Sequence, residues 1–387
     1  MKYILGIKYG GHDTSAALLV NGKLVAACSQ ERYTRDKHSR LFPKEAALDC
    51  LKIGKINIDQ INQIAFVNDV KSQIREIYLK PAITSDERLD FLFKDFERLK
   101  NIKNVDEIIR KNLNYKGQIK YYRHHLCHVA SAYFPSGFKN ALCLSIDGVG
   151  EYETGIIASG KSGKIKTLYN ENRYPHSLGL LYSAVTHYLG WKHHCDEGII
   201  MGLAPYGDSS KIIPRSKKSY LQVFKEILTN KGDFQYKVNL DYIDYYSARD
   251  KWVNDKFIQI FGQKRKWNDP LTNHHKNIAA ALQDQLENIV LENKDNNLSK
   301  NQNYNTADFK EASNESIKAI ALIRAYRIRG HLLAKLDPLG LSTTEYLDEL
   351  HPDFYGFKKE SYDKPIFLNG TINKNYSSIK EILSFLR

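Results

Sequence analysis

Apolar and polar residues alternate with a period of two at the start of the chain. Ile4-Leu5-Gly6-Ile7-Lys8-Tyr9 reads as a strand, Ala16 to Val20 as a second and Lys23 to Ser29 as a third. Gly10-Gly11-His12-Asp13-Thr14-Ser15 turns the chain between the first two, and Asn21-Gly22 is a type I′ hairpin signal. The pattern returns later. Asn140 to Ile146 reads as a strand, Asp147-Gly148-Val149-Gly150-Glu151 as a turn and Glu153 to Ser159 as the returning strand, with Lys161-Ser162-Gly163-Lys164 as the next hairpin. Residues 208–273, with Trp252 and Trp267, read as a helical and aromatic insertion, and a helix is expected from His275 to Glu292. Two strand–turn–strand modules predict an α/β fold of the two-lobed, actin-like (sugar-kinase-like, ASKHA) plan, with a mixed sheet in each lobe and phosphates bound between them.

The pattern changes after Glu292. Residues 293–312 are polar and rich in asparagine, as in a flexible linker. Ser313 and Asn314 can cap a helix from Glu315 to about Leu336, ended by Asp337-Pro338. Ile317, Ile320, Ala321 and Ile328 supply its apolar face, and Arg324, Arg327, His331 and Lys335 a basic stripe that reads as a solvated face. A Ser378-x-x-Glu381 capping box opens the last helix. The expected domains are therefore 1–292, a linker 293–312 and a mainly helical 313–387.

Composition narrows the class. A chain of 387 residues holds two or three domains, and 42% hydrophobic with 11% aromatic residues suits a soluble globular protein. No apolar run approaches the ~20 residues that span a bilayer, and no secretion signal is evident, so no membrane partner is expected. Five cysteines without a Cys-x-x-Cys suit a reduced, cytoplasmic setting. The net charge of +13 comes from scattered lysines without an aromatic-interleaved basic stripe before residue 320, so phosphate-bearing small molecules are expected rather than nucleic acid.

Three groups of residues carry candidate chemistry. His124 and His128, one helical turn apart, share a face and can grip one divalent cation, with Asp147 adding an oxygen. Two imidazoles and a carboxylate suit iron, zinc or manganese better than calcium or magnesium, although the same histidines suit packing in an apolar helix. Cys127 lies off that face and reads as packing. Gly10 and Gly11 let backbone N–H groups approach a phosphate, and Thr14 and Ser15 add hydroxyl donors; the bland alternative is simple chain reversal.

Further blocks stand in order along the chain: His12-Asp13-Thr14-Ser15-Ala16-Ala17-Leu18; Gln30-Glu31-Arg32-Tyr33-Thr34-Arg35-Asp36-Lys37-His38; His124 through Gly150; Tyr174-Pro175-His176-Ser177-Leu178-Gly179; Met201-Gly202-Leu203-Ala204-Pro205-Tyr206-Gly207; and Pro270-Leu271-Thr272 with His275 and Gln283. Together they resemble the O-carbamoyltransferases of nodulation-factor and antibiotic biosynthesis. The resemblance implies that carbamoyl phosphate and ATP become carbamoyl-adenylate in a separate domain, and that the actin-like domain passes the carbamoyl group to a hydroxyl of a small acceptor such as a sugar. It implies a metal, iron before zinc or manganese, on His124, His128 and Asp147. His12 would be the base for the acceptor hydroxyl, with a turn-capping histidine as the alternative. Lys37 and Arg35 would neutralise phosphate or carbamoyl oxygens, with plain surface charge as the alternative. Gly148, Gly150 and Glu151 would line the nucleotide's phosphate and ribose. Ile199 stands where the family usually carries a lysine, which should weaken phosphate affinity there.

The resemblance stops near residue 292, so the second lobe is expected to be incomplete and activity to depend on a complementing domain or subunit. Leu322-Ile323-Arg324-Ala325-Tyr326-Arg327-Ile328-Arg329-Gly330-His331-Leu332 and Leu336-Asp337-Pro338-Leu339-Gly340 resemble instead the early part of the thiamine-dependent subunit of 2-oxoglutarate dehydrogenase. That family's thiamine diphosphate motifs are absent. A catalytically inactive chimeric or truncated product, or a fragment of that dehydrogenase, is the alternative expectation.

Overall fold

Tyr3–Lys8 (β1), Ser15–Val20 (β2) and Lys23–Ser29 (β3) form the antiparallel meander that the alternation predicts. Asn21 and Gly22 both take positive φ, 49° and 81°, as a type I′ turn requires. On its other side β1 pairs in parallel with Gln63–Val67 (β4), and β4 with Gln118–Tyr122 (β5), giving the order β3-β2-β1-β4-β5. This sheet is mixed, as expected. Leu5, Ile7, Leu18, Ile64 and Phe66 are buried under Ala46, Ala47 and Cys50 of the Lys44–Ile53 helix and Ile109 of the Val105–Leu113 helix. Removing such side chains from water contributes about 1.5–3 kcal/mol each, which anchors the strand ends where the first turn sits. These details come from a computed structural model that describes residues 1–214, 216–232, 234–246, 251–299, 306–330, 347–368, 372, 374 and 376–386.

Asn140–Ile146 (β6), Glu153–Lys161 (β7) and Lys164–Arg173 (β8) make a second sheet. It is wholly antiparallel, not mixed as expected. Its two connections are tight turns, and a parallel neighbour needs a crossover of a dozen or more residues; no later strand among the described residues joins it. The His124–Tyr133 helix packs on this sheet through Val129 against Ile156 and Ala158. The Leu178–Tyr188 helix is buried almost all round, among Val223, Phe224, Phe257 and the Asn273–Ser299 helix residues Ile278 and Leu282. The aromatic insertion mostly faces inward: Trp252, Tyr242 and Tyr245 are buried, while Trp267 is exposed. It also contributes a small hairpin, Leu228–Gly232 (β9) with Gln235–Val238 (β10).

The chain divides into two compact units, Met1–Lys294 and Asp295–Arg387. The asparagine-rich stretch is helical at both ends, because the Asn273–Ser299 helix runs into it and a second helix, Thr306–Arg329, begins inside it. That second helix therefore starts before Ser313 and Asn314, which lie within it instead of capping it; no Gly or Pro interrupts the run, so propensity outweighs the local cap signal. Its buried seam is Ala319, Leu322, Ile323 and Tyr326, at i, i+3, i+4 and i+7, whereas Ile320 and Ala321 are only half-buried. Arg324 and Arg327 are exposed, as a solvated stripe requires; His331, Lys335 and the stop at Asp337-Pro338 lie outside the described residues.

The seam packs on Leu350, Phe357, Ile366 and Ile382, beside a minimal strand pair, Ile366–Phe367 (β11) and Tyr376–Ser377 (β12). The Ser378/Glu381 capping box opens the Ile379–Leu386 helix, with Glu381 N–H donating to Ser378 Oγ at 3.3 Å and Ser378 N–H to Glu381 Oε2 at 3.1 Å. No helix among the described residues is long and apolar enough to cross a membrane.

Candidate metal centre and the adjoining cavity

The first turn of the His124–Tyr133 helix meets the turn that leaves β6. His124 Nε2 lies 2.7 Å from Asp147 Oδ2 and 2.9 Å from His128 Nε2, and His128 Nε2 lies 3.3 Å from the same oxygen. The three donor atoms all fall within 4.8 Å of one another, the only such group among the described residues. Burial works against the Asp147 carboxylate, but hydrogen bonds from His124 and His128 and from Gly148 N–H override it and hold the carboxyl well below its usual range. The acid is thus ionised and ready to act as a ligand. Cys127 takes no part; burial pushes its thiol up to about 11.

The residues around the centre set its shape. A Cβ on Gly150 would stand 3.0 Å from His124 Cβ and 3.1 Å from His125 Cδ2, so this glycine lets the helix approach the turn. A Cβ on Gly148 would meet only Leu180, at an ordinary 3.5 Å. Glu151 is fully buried, and its Oε1 accepts from His124 N–H at 2.9 Å and from Asp69 N–H at 2.7 Å. Expected as a nucleotide contact, Glu151 instead ties down the N-terminus of the helix that carries both histidines. Glu151→Ala should lower stability by about 2–4 kcal/mol, with Glu151→Gln closer to the unmutated protein, as denaturant melts would show. Equal stability of the alanine variant would refute that role.

At the first turn, Gly10 adopts φ +96°, which only glycine takes without strain, and a Cβ at Gly10 or Gly11 would meet nothing within 4 Å. The space above this backbone is open. Thr14, by contrast, is fully buried and its hydroxyl donates to Ser39 O at 3.4 Å, so it is not a free donor for a phosphate. The reason is period: Thr14 precedes β2 on the inward side and pins the 36–41 segment to the turn. His12 Nδ1–H donates to Asp13 Oδ2 at 2.5 Å, and His38 Nδ1 sits 2.9 Å from Asp13 Oδ1. Asp13 so clamps two imidazoles. Lys8, at the end of β1, donates to His12 O; burial lowers its pKa while Asp13 and Asp147 pull it back up, so one ammonium faces both turns.

His12 and Lys37 line one cavity of about 290 Å³, together with Arg40, Lys192, His193 and His194. Arg35 is not on its wall; it caps the Glu31–Thr34 helix with φ 58°. The His194 ring stacks on His12 at 6.4 Å and 20°; its Nδ1 lies 3.4 Å from Ser183 Oγ, and the His194 backbone N–H donates to Glu197 Oε1 at 2.6 Å. Ile199, where a lysine was expected, is exposed. Tyr182 and Ser183 are buried, as core residues are. Lys8 and the His193-His194 pair had no sequence signal of their own: residues far apart in the chain show no spacing.

Burial lowers the His194 pKa to about 4 from 6.5. Because the folded value lies below the unfolded one, the unfolded chain takes up the proton first, and stability is lost as pH falls from about 6.5 to about 4. The loss reaches up to about 3 kcal/mol. Thermal melts across that window should therefore fall more steeply for the unmutated protein than for His194→Asn; parallel curves would contradict this.

The family model described as carbamoyltransferase N-terminus matches residues 3–311. The nodulation protein NolNO of Sinorhizobium fredii is 32% identical over 290 residues, covering 72% of this chain and 37% of that relative. The 2-oxoglutarate dehydrogenase E1 component of Brucella anthropi is 44% identical over 79 residues, 20% of this chain and 8% of that relative. Among solved structures, YeaZ from Pseudomonas aeruginosa matches with a TM-score of 0.27 and 15% identity, over 46% of this chain and 69% of that one. The chain spans less than half the length of the curated relatives it matches.

Proposed function

The chain belongs to the carbamoyltransferase family, and from that membership we propose that residues 1–292 are an actin-like domain that passes a carbamoyl group to a hydroxyl of a small acceptor, with a divalent metal on His124, His128 and Asp147. The observation that carries the proposal is the donor triangle of 2.7, 2.9 and 3.3 Å. Donors about 2.1 Å from one ion stand about 3.0 Å apart at right angles and about 3.4 Å apart at tetrahedral angles. The triangle is compact enough for all three atoms to reach one ion, and two imidazoles with one carboxylate suit iron, manganese or zinc. The mixed β3-β2-β1-β4-β5 sheet and the open Gly10–Gly11 backbone support the actin-like, nucleotide-binding part of the reading.

When bound, the metal would polarise the carbamoyl oxygen or anchor the donor's phosphate, supplying charge stabilisation. His12 Nε2 accepts the acceptor's hydroxyl proton, and Asp13 holds the ring and stabilises the resulting imidazolium. The hydroxyl oxygen bonds the carbamoyl carbon as the adenylate phosphate leaves, and Lys37 balances the charge on that leaving phosphate. Gly10 and Gly11 admit the phosphate; Gly148 and Gly150 shape the turn below it. Carbamoyl phosphate and ATP are the ultimate sources of the donor, carbamoyl-adenylate, which a complementing domain or subunit would make.

Elemental analysis of the folded protein, with melts taken with and without ATP, tests the reading. About one divalent ion per chain and an ATP-dependent rise in melting temperature are expected. A folded protein that holds no metal after incubation with ferrous iron, manganese or zinc would end it.

A further inference from the structure

The cavity beside His12 has an unusual wall. Lys37, Arg40 and Lys192 bring three cations to it, against the single carboxylate of Asp36. Leu41 is its one aliphatic lining residue, and neither Trp nor Tyr is among the lining residues. The volume of about 290 Å³ is at the small end of ligand sites.

We infer that this cavity receives the acceptor, and that the acceptor is a small hydroxy compound carrying a phosphate or a carboxylate, held by Arg40 and Lys192 while its hydroxyl meets His12. The inference rests on the transferase reading, which supplies the need for an acceptor beside His12. A neutral sugar is recognised by aromatic faces and paired polar groups, and this wall has no large aromatic face. An amino sugar would bring its own cations against three others, which charge complementarity forbids. The donor's phosphate has its own places at the Gly10–Gly11 backbone and Lys37, which leaves Arg40 and Lys192 for a second anion. Arg40 supplies a planar fork suited to either anion, and Lys192 a point charge.

Calorimetric titration of the full chain with glucose, glucose 6-phosphate and glucuronate tests this, on the unmutated protein, Arg40→Gln, Lys192→Gln and the double variant. Both Arg40 and Lys192 are exposed on the wall, so their loss leaves the fold intact. The expected result is millimolar or tighter binding of at least one anionic probe, none of glucose, and at least tenfold weaker binding in the double variant. The stronger of the two anionic probes identifies the anion. Glucose binding as well as the anions, anion binding indifferent to the double variant, no anion binding, or full displacement of the anionic probe by carbamoyl phosphate would each overturn the inference. Metal content measured on the same samples separates the two readings: an unmutated protein without metal that still binds the anion through Arg40 and Lys192 rejects the transferase and keeps the anion site.

Discussion

His124→Ala/His128→Ala is expected to strip the protein of its divalent ion, from about one per chain to none at micromolar free metal. Structural metal sites with four protein ligands bind with about 10–16 kcal/mol, so each ligand accounts for about 3 kcal/mol, or roughly a hundredfold in affinity. Losing both imidazoles leaves Asp147 as the one remaining member of the triad and should weaken binding about ten-thousandfold. His124 is half-buried and His128 exposed, so the double variant opens no large cavity and should still melt cooperatively. Asp147→Asn should weaken binding about a hundredfold, because the amide retains an oxygen but not the charge. Elemental analysis after dialysis against a fixed free-metal buffer reads all three. Metal retained at full stoichiometry by the double variant would move the site elsewhere.

His12→Ala is expected to slow carbamoyl transfer by about 10²–10⁴-fold, the usual contribution of a positioned general base. Metal content should not change, because His12 belongs to the first turn and not to the metal triad. The assay supplies carbamoyl phosphate, ATP and an adenylate-forming domain from a full-length relative, and follows the carbamoylated acceptor by mass spectrometry. Asp13→Asn should give a smaller loss with a shifted pH profile, since it disturbs the ring's orientation and the stabilisation of its charged form while the imidazole remains. Such a shift distinguishes a positioning residue from one that merely supports the fold. A His12→Ala rate equal to the unmutated one would leave this histidine with turn capping alone.

Much of this architecture was legible along the chain. Alternation located β1 to β3, β6 and β7 within a residue or two, because side chains on a pleated strand face opposite sides in strict turn. Asn21-Gly22 and Ser162-Gly163 reported their hairpins directly, as both pairs take the positive φ that such turns demand. The 306–329 helix was misplaced at its start because Ser313 and Asn314 carry a cap signal that an uninterrupted helical run overrides. The second sheet is antiparallel where the two-lobed plan predicts a mixed one, because its short turns leave no room for a crossover.

The triad was readable for a physical reason: His124 and His128 sit one helical turn apart, and that distance follows from the helix alone. The sequence by itself determined β1 to β3, β6 and β7, their turns and this facing imidazole pair, since each depends on residues a few positions apart. Only the tertiary structure decided that Asp13 clamps His12 and His38, that Glu151 serves the helix N-terminus, and that Arg40, Lys192 and the His193-His194 pair come to His12. Those contacts join segments whose approach is set by how two apolar cores bury their surfaces, and burial is a property of the whole unit rather than of any stretch of it.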